Sequence, residues 1–244
     1  MPSLARADLE SLLRAKRLDH TLTTSLPPVD PAASGGGDDM VVAATGLPLF
    51  DARLGGGFPR GHLSELVGPR SSGRTSLLLR AFAAATARGE LVALVDALDG
   101  FDVASALAAG VDLSRLLWIR GHVVSNPGFC HDSNHRALDQ ALKACTLVLQ
   151  AGHFGVVAFD VAGAPLPTVR RLPLTTWLRL GRIIEGSQTA CVLIGEAPMA
   201  RSTAGLTVRL DQGEHVSGEI VRARAQARPS ETRVRVSVAM DPHV

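Results

Sequence analysis

The segment Gly68-Pro-Arg-Ser-Ser-Gly-Arg-Thr75 constrains this chain more than any other. It follows the short apolar run Leu63 to Val67 and opens the apolar, Ala-rich stretch Thr75 to Arg88, so it reads as strand, glycine-rich loop, helix. A working phosphate loop has the pattern G-x-x-x-x-G-K-[ST]. Its glycines let backbone N–H groups cradle phosphates at a helix N-terminus, its Lys reaches the terminal phosphates, and its Thr or Ser hydroxyl holds Mg²⁺. Every element stands here except the Lys, which is Arg74. The candidate nucleotide-contacting residues are therefore Gly68, Ser72, Gly73, Arg74, Thr75 and Ser76. Arg for Lys is not a conservative change, because a planar guanidinium does not fit a pocket shaped for a compact ammonium. Arg74 keeps an attraction for phosphate but is not expected to sit where the Lys would.

Strand and helix patterns alternate after the loop. Strands are expected at Leu91 to Val95, Leu116 to Ile119, Gly155 to Phe159 and Ala190 to Ile194, with helices at Val103 to Ala109, Asn134 to Ala151 and Pro173 to Glu185. Apolar strands between helices have both faces covered, which predicts a mainly parallel sheet. Asp160 ends an apolar strand and has the position of the carboxylate that orients a Mg²⁺ water shell. Val208 to Leu210, Glu219 to Ala225 and Thr232 to Val238 follow without helices between them and are expected to be antiparallel strands at the C-terminal end.

Ala5 to Leu18 reads as a short helix with Leu9, Leu12 and Leu13 along one edge. Ser25 to Asp39, rich in Pro, Gly and Asp, has linker composition. The expected organisation is an N-terminal helix within residues 1–24, a linker over 25–40 and an α/β core over 41–244. The helix packs on its own domain or, freed by the linker, binds a partner through its three Leu.

Charge decides little, since 25 Lys and Arg stand against 23 Asp and Glu. The N-terminus lacks the apolar run of a secretory signal, and no stretch of about 18 apolar residues exists to span a membrane. Three Cys without metal spacing fit a reducing cytoplasm. Cys130, His131 and His135 lie together, but a zinc site needs a fourth ligand, and a surface loop before a helix is the better reading. Trp118 and Trp177 are expected in the core. Arg170 and Arg171 could touch a nucleic-acid backbone, or form a solvated pair. No Tyr and 4% aromatics leave little material for base stacking.

Residues 46–118 resemble the RecA recombinase core. The resemblance is carried by Leu54-Gly-Gly-Gly-Phe-Pro-Arg-Gly61, Glu65, the loop, Val92-Ala-Leu-Val-Asp-Ala97, Gly110-Val-Asp-Leu113 and Leu116-Leu117, and late in the chain by Ser230-Glu-Thr-Arg-Val-Arg-Val236. It implies a RecA-like α/β fold over roughly residues 44–238. The departures are equally specific. RecA carries a catalytic Glu two positions after the Asp matching Asp96, where this chain has Leu98. The phosphate-sensing Gln is matched by Glu196. The first DNA loop corresponds to a short Pro-rich segment around Ala162 to Leu172, and the second to Ala197-Pro-Met-Ala-Arg-Ser-Thr-Ala-Gly205. The chain also stops where a C-terminal lobe would begin.

These departures resemble the ImuA family, RecA-like accessory proteins of the damage-inducible mutasome. That resemblance implies an adaptor without nucleotide turnover. It would act with ImuB, a Y-family polymerase relative, and with an error-prone polymerase, and RecA itself is a further candidate partner. No cofactor would be required, although weak ATP and Mg²⁺ binding stays open. Single-stranded DNA would be held weakly, membranes not at all. Two alternatives stand beside this: an ATP-dependent RecA-like recombinase or recombinase mediator, and a DNA-independent regulator that binds nucleotide as a signal.

Overall fold

The computed structural model describes residues 41–122, 131–200, 203–212, 216–223 and 235–238. The N-terminal helix with Leu9, Leu12 and Leu13, the linker, and Cys130 lie outside them. The described chain opens with a small hairpin, β1 (Val42–Ala43) against β2 (Phe58–Pro59), with helix α1 (Pro48–Arg53) between. Gly57 has φ +141°, and a Cβ there would collide with the Ala43 carbonyl, so the hairpin closes only around glycine.

The remaining elements run β3 (Leu63–Val67), α2 (Arg74–Ala87), β4 (Leu91–Asp96), α3 (Val103–Ala108), a 3₁₀ turn (Leu113–Arg115) and β5 (Leu116–Arg120). Then come α4 (His131–Ala151), β6 (Phe154–Asp160), α5 (Leu166–Arg170), α6 (Leu174–Ile184), β7 (Ala190–Gly195), β8 (Leu206–Asp211), β9 (Val216–Ala223) and β10 (Arg235–Val238). One eight-stranded sheet has the order β10-β9-β8-β3-β7-β6-β4-β5. The phosphate-loop strand β3 therefore lies in its middle, and the loop leaves the sheet flanked by β7 and β8.

Side-chain alternation explains the continuous apolar runs. On β4, β6 and β7, Val92, Leu94, Val156, Ala158, Val192 and Ile194 enter a core that contains Leu77, Leu78 and Phe82 of α2. Their neighbours Ala93, Val95, Val157, Phe159, Cys191 and Leu193 enter a second core with Leu138 and Leu142 of α4 and Trp177 and Leu180 of α6. Each strand is buried on both faces, and a polar residue on either face would have to find a partner inside.

Two sequence expectations change. The strand expected at Val208 to Leu210 is antiparallel on one edge only. β8 pairs in parallel with β3 on one edge and antiparallel with β9 on the other, and β9 pairs antiparallel with β10. Trp177 is core at 1% exposure, but Trp118 on edge strand β5 is only half-buried. It packs on Phe101 (ring centroids 5.2 Å apart) beneath the Arg120 guanidinium (4.9 Å). An edge strand has sheet on one side only, so Trp118 completes its burial with a stacked cation.

Candidate phosphate-binding site

The loop between β3 and α2 is built from backbone constraints. Gly68 donates its N–H to the Gly195 carbonyl oxygen at 3.3 Å. A Cβ at Gly68 would strike the Leu210 carbonyl and lie 2.8 Å from Ser72 Oγ, so β8 and the returning loop both press on this glycine. Ser71 (φ +58°) and Gly73 (φ +85°) turn the chain into the helix. Among the described residues, no backbone N–H from Arg70 to Ser76 donates to a protein acceptor. These donors surround the N-terminus of a 14-residue helix, the geometry that attracts anions. Ser72 is 3% exposed, and its hydroxyl, turned back across the loop toward Gly68, has no hydrogen-bond partner. A buried hydroxyl without a partner costs about 1–3 kcal/mol, a cost that an incoming acceptor removes. Thr75 is exposed and Ser76 half-buried at the helix start.

Arg74 does not project into solvent. It is 7% exposed, and its Nη1 donates to the Gly195 carbonyl oxygen at the end of β7 at 2.5 Å. Burial pulls its pKa below the ordinary arginine value, while the Asp160 and Glu196 carboxylates, and not any closed ion pair among the described residues, pull the other way. The guanidinium thus lies between the loop and the ends of β6 and β7.

Asp160 ends β6 directly opposite Asp96 of β4. Burial pushes its pKa up to about 6 and the Asp96 charge adds to that, against the Ala162 N–H at 2.7 Å and the Arg74 charge. Asp96 is committed elsewhere, accepting from Phe101 N at 2.8 Å and Trp118 Nε1 at 3.3 Å. Leu98 packs against the second core, where a Cβ on Gly163 would meet its Cδ2 at 3.5 Å. An apolar side chain in this position can neither activate nor orient a water.

Glu65 carries part of the RecA resemblance, but residue patterns alone give it no task. It is fully buried on β3. Its Oε1 accepts from Met199 N and Ala200 N, both at 2.7 Å, and its Oε2 from Thr207 Oγ1 at 2.8 Å. The segment after β7 is therefore fastened to the sheet through a carboxylate, with Met199, Ala200 and Ala204 buried beneath it. A Glu in the centre of an apolar strand was the available signal, since a charge there must meet several donors.

The proposed DNA-facing arginines are at the end of α5. Arg170 closes α5 and Arg171 caps it, both exposed, while Thr168, Val169 and Leu172 of the same segment are buried. On α4, His135 faces Asp139 at 3.2 Å on an exposed surface, and Cys130 and the His131 side chain lie outside the described residues. A cavity of about 310 Å³, lined in part by His62, Leu178 and Arg182, opens at the start of β3. It is one strand length from the loop, roughly 16 Å for five residues, and takes no part in the site.

The profile of the RecA N-terminal domain family matches residues 35–169. The chain belongs to that family. It is 38% identical over 180 residues to Protein RecA of Chlorobaculum parvum, an overlap covering 66% of this chain and 48% of that protein. It is 32% identical over 160 residues to the chloroplastic DNA repair protein recA homolog 1 of Arabidopsis thaliana, covering 66% and 33%. The chain thus spans half or less of these relatives. Among solved structures, the RadB recombinase superposes with a TM-score of 0.57 at 20% identity, over 80% of this chain and 94% of that one, a likeness of fold. The RecA-like core, mostly parallel with antiparallel strands at its C-terminal end, is thereby confirmed. No helix among the described residues is long and apolar enough to cross a membrane.

Proposed function

We propose that this RecA-family chain is a non-hydrolysing accessory protein of DNA-damage-induced mutagenesis and translesion synthesis. In this reading it acts in the cytoplasm with an ImuB-type Y-family polymerase relative and an error-prone polymerase, and it engages RecA as a second partner. The observation that carries the first half is the joint state of Arg74 and Leu98. The cation of the loop is fastened to the Gly195 carbonyl, and the position where RecA has its catalytic Glu is an apolar, half-buried residue packed against the second core. Loss of one preorganised charge contact costs about 10²–10³ in rate, and loss of a general base about 10²–10⁴. The losses do not simply multiply, but either leaves background turnover.

The segments matching the DNA loops support the accessory role. One is a short helix with a buried face, and the other is tied down by Glu65. What remains for single-stranded DNA is backbone contact through Arg170 and Arg171, which weakens steeply with salt. The second reading, an ATP-dependent recombinase or recombinase mediator, is favoured by the family relationship itself. Single-turnover hydrolysis with and without single-stranded DNA separates the two. Phosphate release within tenfold of a RecA control would establish the second reading. Background release, together with stoichiometric capture of an ImuB-type protein, supports the first.

A further inference from the structure

We infer that the cavity at the start of β3 is a docking site for an acidic segment of a partner protein, which inserts one large apolar side chain. This does not depend on the non-hydrolysing reading, because the cavity and the glycine-rich loop lie at opposite ends of β3.

The cavity holds about 310 Å³, at the small end of the range for ligand pockets. Its floor is apolar, made by the buried Leu63 and Ala204, and Leu178 forms a wall that is 44% exposed. So open a wall suits an inserted side chain rather than an enclosed small molecule. Gly181 keeps the space empty. It lies inside α6 without the positive φ of a turn, and beyond the helix itself a Cβ there would meet only Leu63 Cδ1, at 3.9 Å. Packing therefore does not demand a glycine that weakens the helix relative to alanine. Gly205 is the opposite case. A Cβ there would lie 3.1 Å from His62 Cβ and 3.3 Å from Cδ2, so this glycine lets the imidazole lie against the segment before β8.

The rim gives the occupant its charge. His62, Arg182 and Glu185 line the cavity, and Arg179 stands exposed on the same helix. Among the described residues none of these four side chains makes a hydrogen bond or an ion pair, although Arg182 and Glu185 are one helical turn apart. Two arginines and an imidazole against one carboxylate leave a positive balance around an apolar floor. An apolar side chain flanked by carboxylates complements both.

Three acetylated, amidated tripeptides are the probes: Glu-Trp-Glu, Lys-Trp-Lys and Glu-Ala-Glu. Each is titrated into the full chain while NMR follows the backbone amides of Gly61, Gly181 and Gly205. The expected result is saturable shifts with Glu-Trp-Glu. Glu-Ala-Glu should bind at least about tenfold more weakly, the effect of one large side chain leaving water. Lys-Trp-Lys should bind about fivefold more weakly in low salt, a difference that added salt reduces, as for exposed charges. Gly181→Leu fills the cavity and should weaken Glu-Trp-Glu at least about tenfold, with a melting temperature no lower than that of the parent protein. Arg182→Glu should reverse the preference toward Lys-Trp-Lys. Absence of saturable shifts, equal binding of Glu-Trp-Glu and Lys-Trp-Lys, or indifference to Gly181→Leu would each overturn the inference. So would dimerisation in sedimentation that Gly181→Leu abolishes, which would assign this face to a second copy of the chain.

Discussion

Arg74 Nη1 donates to the Gly195 carbonyl oxygen across 121 residues of chain, joining the start of α2 to the end of β7. A Lys at this position carries three donors on a flexible stem and is free to follow a phosphate. The planar guanidinium is committed to a backbone acceptor instead. Arg74→Lys is therefore expected to free the Gly195 carbonyl yet leave hydrolysis at background, because Leu98 still supplies no base. Single-turnover assays of Arg74→Lys, Leu98→Glu and the double variant check this. Substantial turnover in the first alone would show that Leu98 is not limiting.

Glu65 should be among the costliest side chains to remove. Glu65→Ala strands the Met199 and Ala200 N–H groups and the Thr207 hydroxyl in the interior. Each stranded donor costs about 1–3 kcal/mol, so a loss of at least 3 kcal/mol is expected in urea unfolding. Thr207→Val, which removes one donor and keeps the shape, should cost about 1 kcal/mol. A small effect of Glu65→Ala would mean that water reaches these groups.

The Asp160 carboxyl gives stability a pH dependence. Its folded pKa, about 6, lies above the ordinary 3.8, so the fold binds this proton more tightly than the unfolded chain. Its contribution is fully present below pH 3.8 and is lost as pH rises through about 6. Asp160→Asn keeps an acceptor for the Ala162 N–H and removes the charge. It should do little near pH 4. At pH 8 it should raise stability by up to about 3 kcal/mol, since a tenfold difference in proton affinity between folded and unfolded chain is worth about 1.4 kcal/mol. Melting temperatures of both proteins from pH 4 to 8 would show the curves diverging. Parallel curves would count against a buried, raised carboxyl.

Arg60 ties three backbone segments and the Glu90 side chain together. It donates to the Gln188, Val42 and Gly155 carbonyls at 2.6, 3.2 and 3.4 Å and pairs with Glu90 at 2.7 Å, with 10% and 23% of the two side chains exposed. Burial alone would raise the Glu90 pKa, but the Arg88 and Arg60 hydrogen bonds and charges outweigh it and lower it. Its contribution is thus present above about pH 4.5 and is lost as pH falls through the lowered value. Arg60→Ala should cost about 2–4 kcal/mol, Glu90→Gln less, and the Glu90→Gln difference should vanish in acid. A denaturant series at pH 7 and pH 3 decides it.

Deletion of residues 1–24 tests the N-terminal helix. Leu9, Leu12 and Leu13 could each contribute roughly 1.5–3 kcal/mol on burial against a partner, less the ordering cost. The expected outcome is an unchanged melting temperature with loss of binding to an ImuB-type protein or to RecA, whichever the helix contacts. A core that melts early while the folded fraction still binds would make the helix structural.

The order of strands and helices was legible because both faces of β3, β4, β6 and β7 are buried, and burial on both faces leaves an apolar run that needs no knowledge of its neighbours. The Leu91 to Asp96 and Phe154 to Asp160 strands were readable to within a residue or two for that reason. The β1–β2 hairpin was not, since two-residue strands carry no period. The parallel pairing of β8 with β3 was not either, because it goes with contacts between distant residues, such as those of Glu65 with Met199, Ala200 and Thr207.

At the site, the amino-acid sequence alone determined the glycine-rich loop, the exchange of Lys for Arg74 and the apolar residue at 98, since each is a matter of residue type at a fixed spacing. Only the tertiary structure decided where the guanidinium goes, that Ser72 is buried without a partner, and that Glu65 holds the chain 134 residues later. Hydrogen bonds between residues more than a hundred positions apart leave no local pattern. They arise when the sheet brings β3, β7 and β8 side by side, and the donors and acceptors at their ends must then be satisfied within a few ångströms.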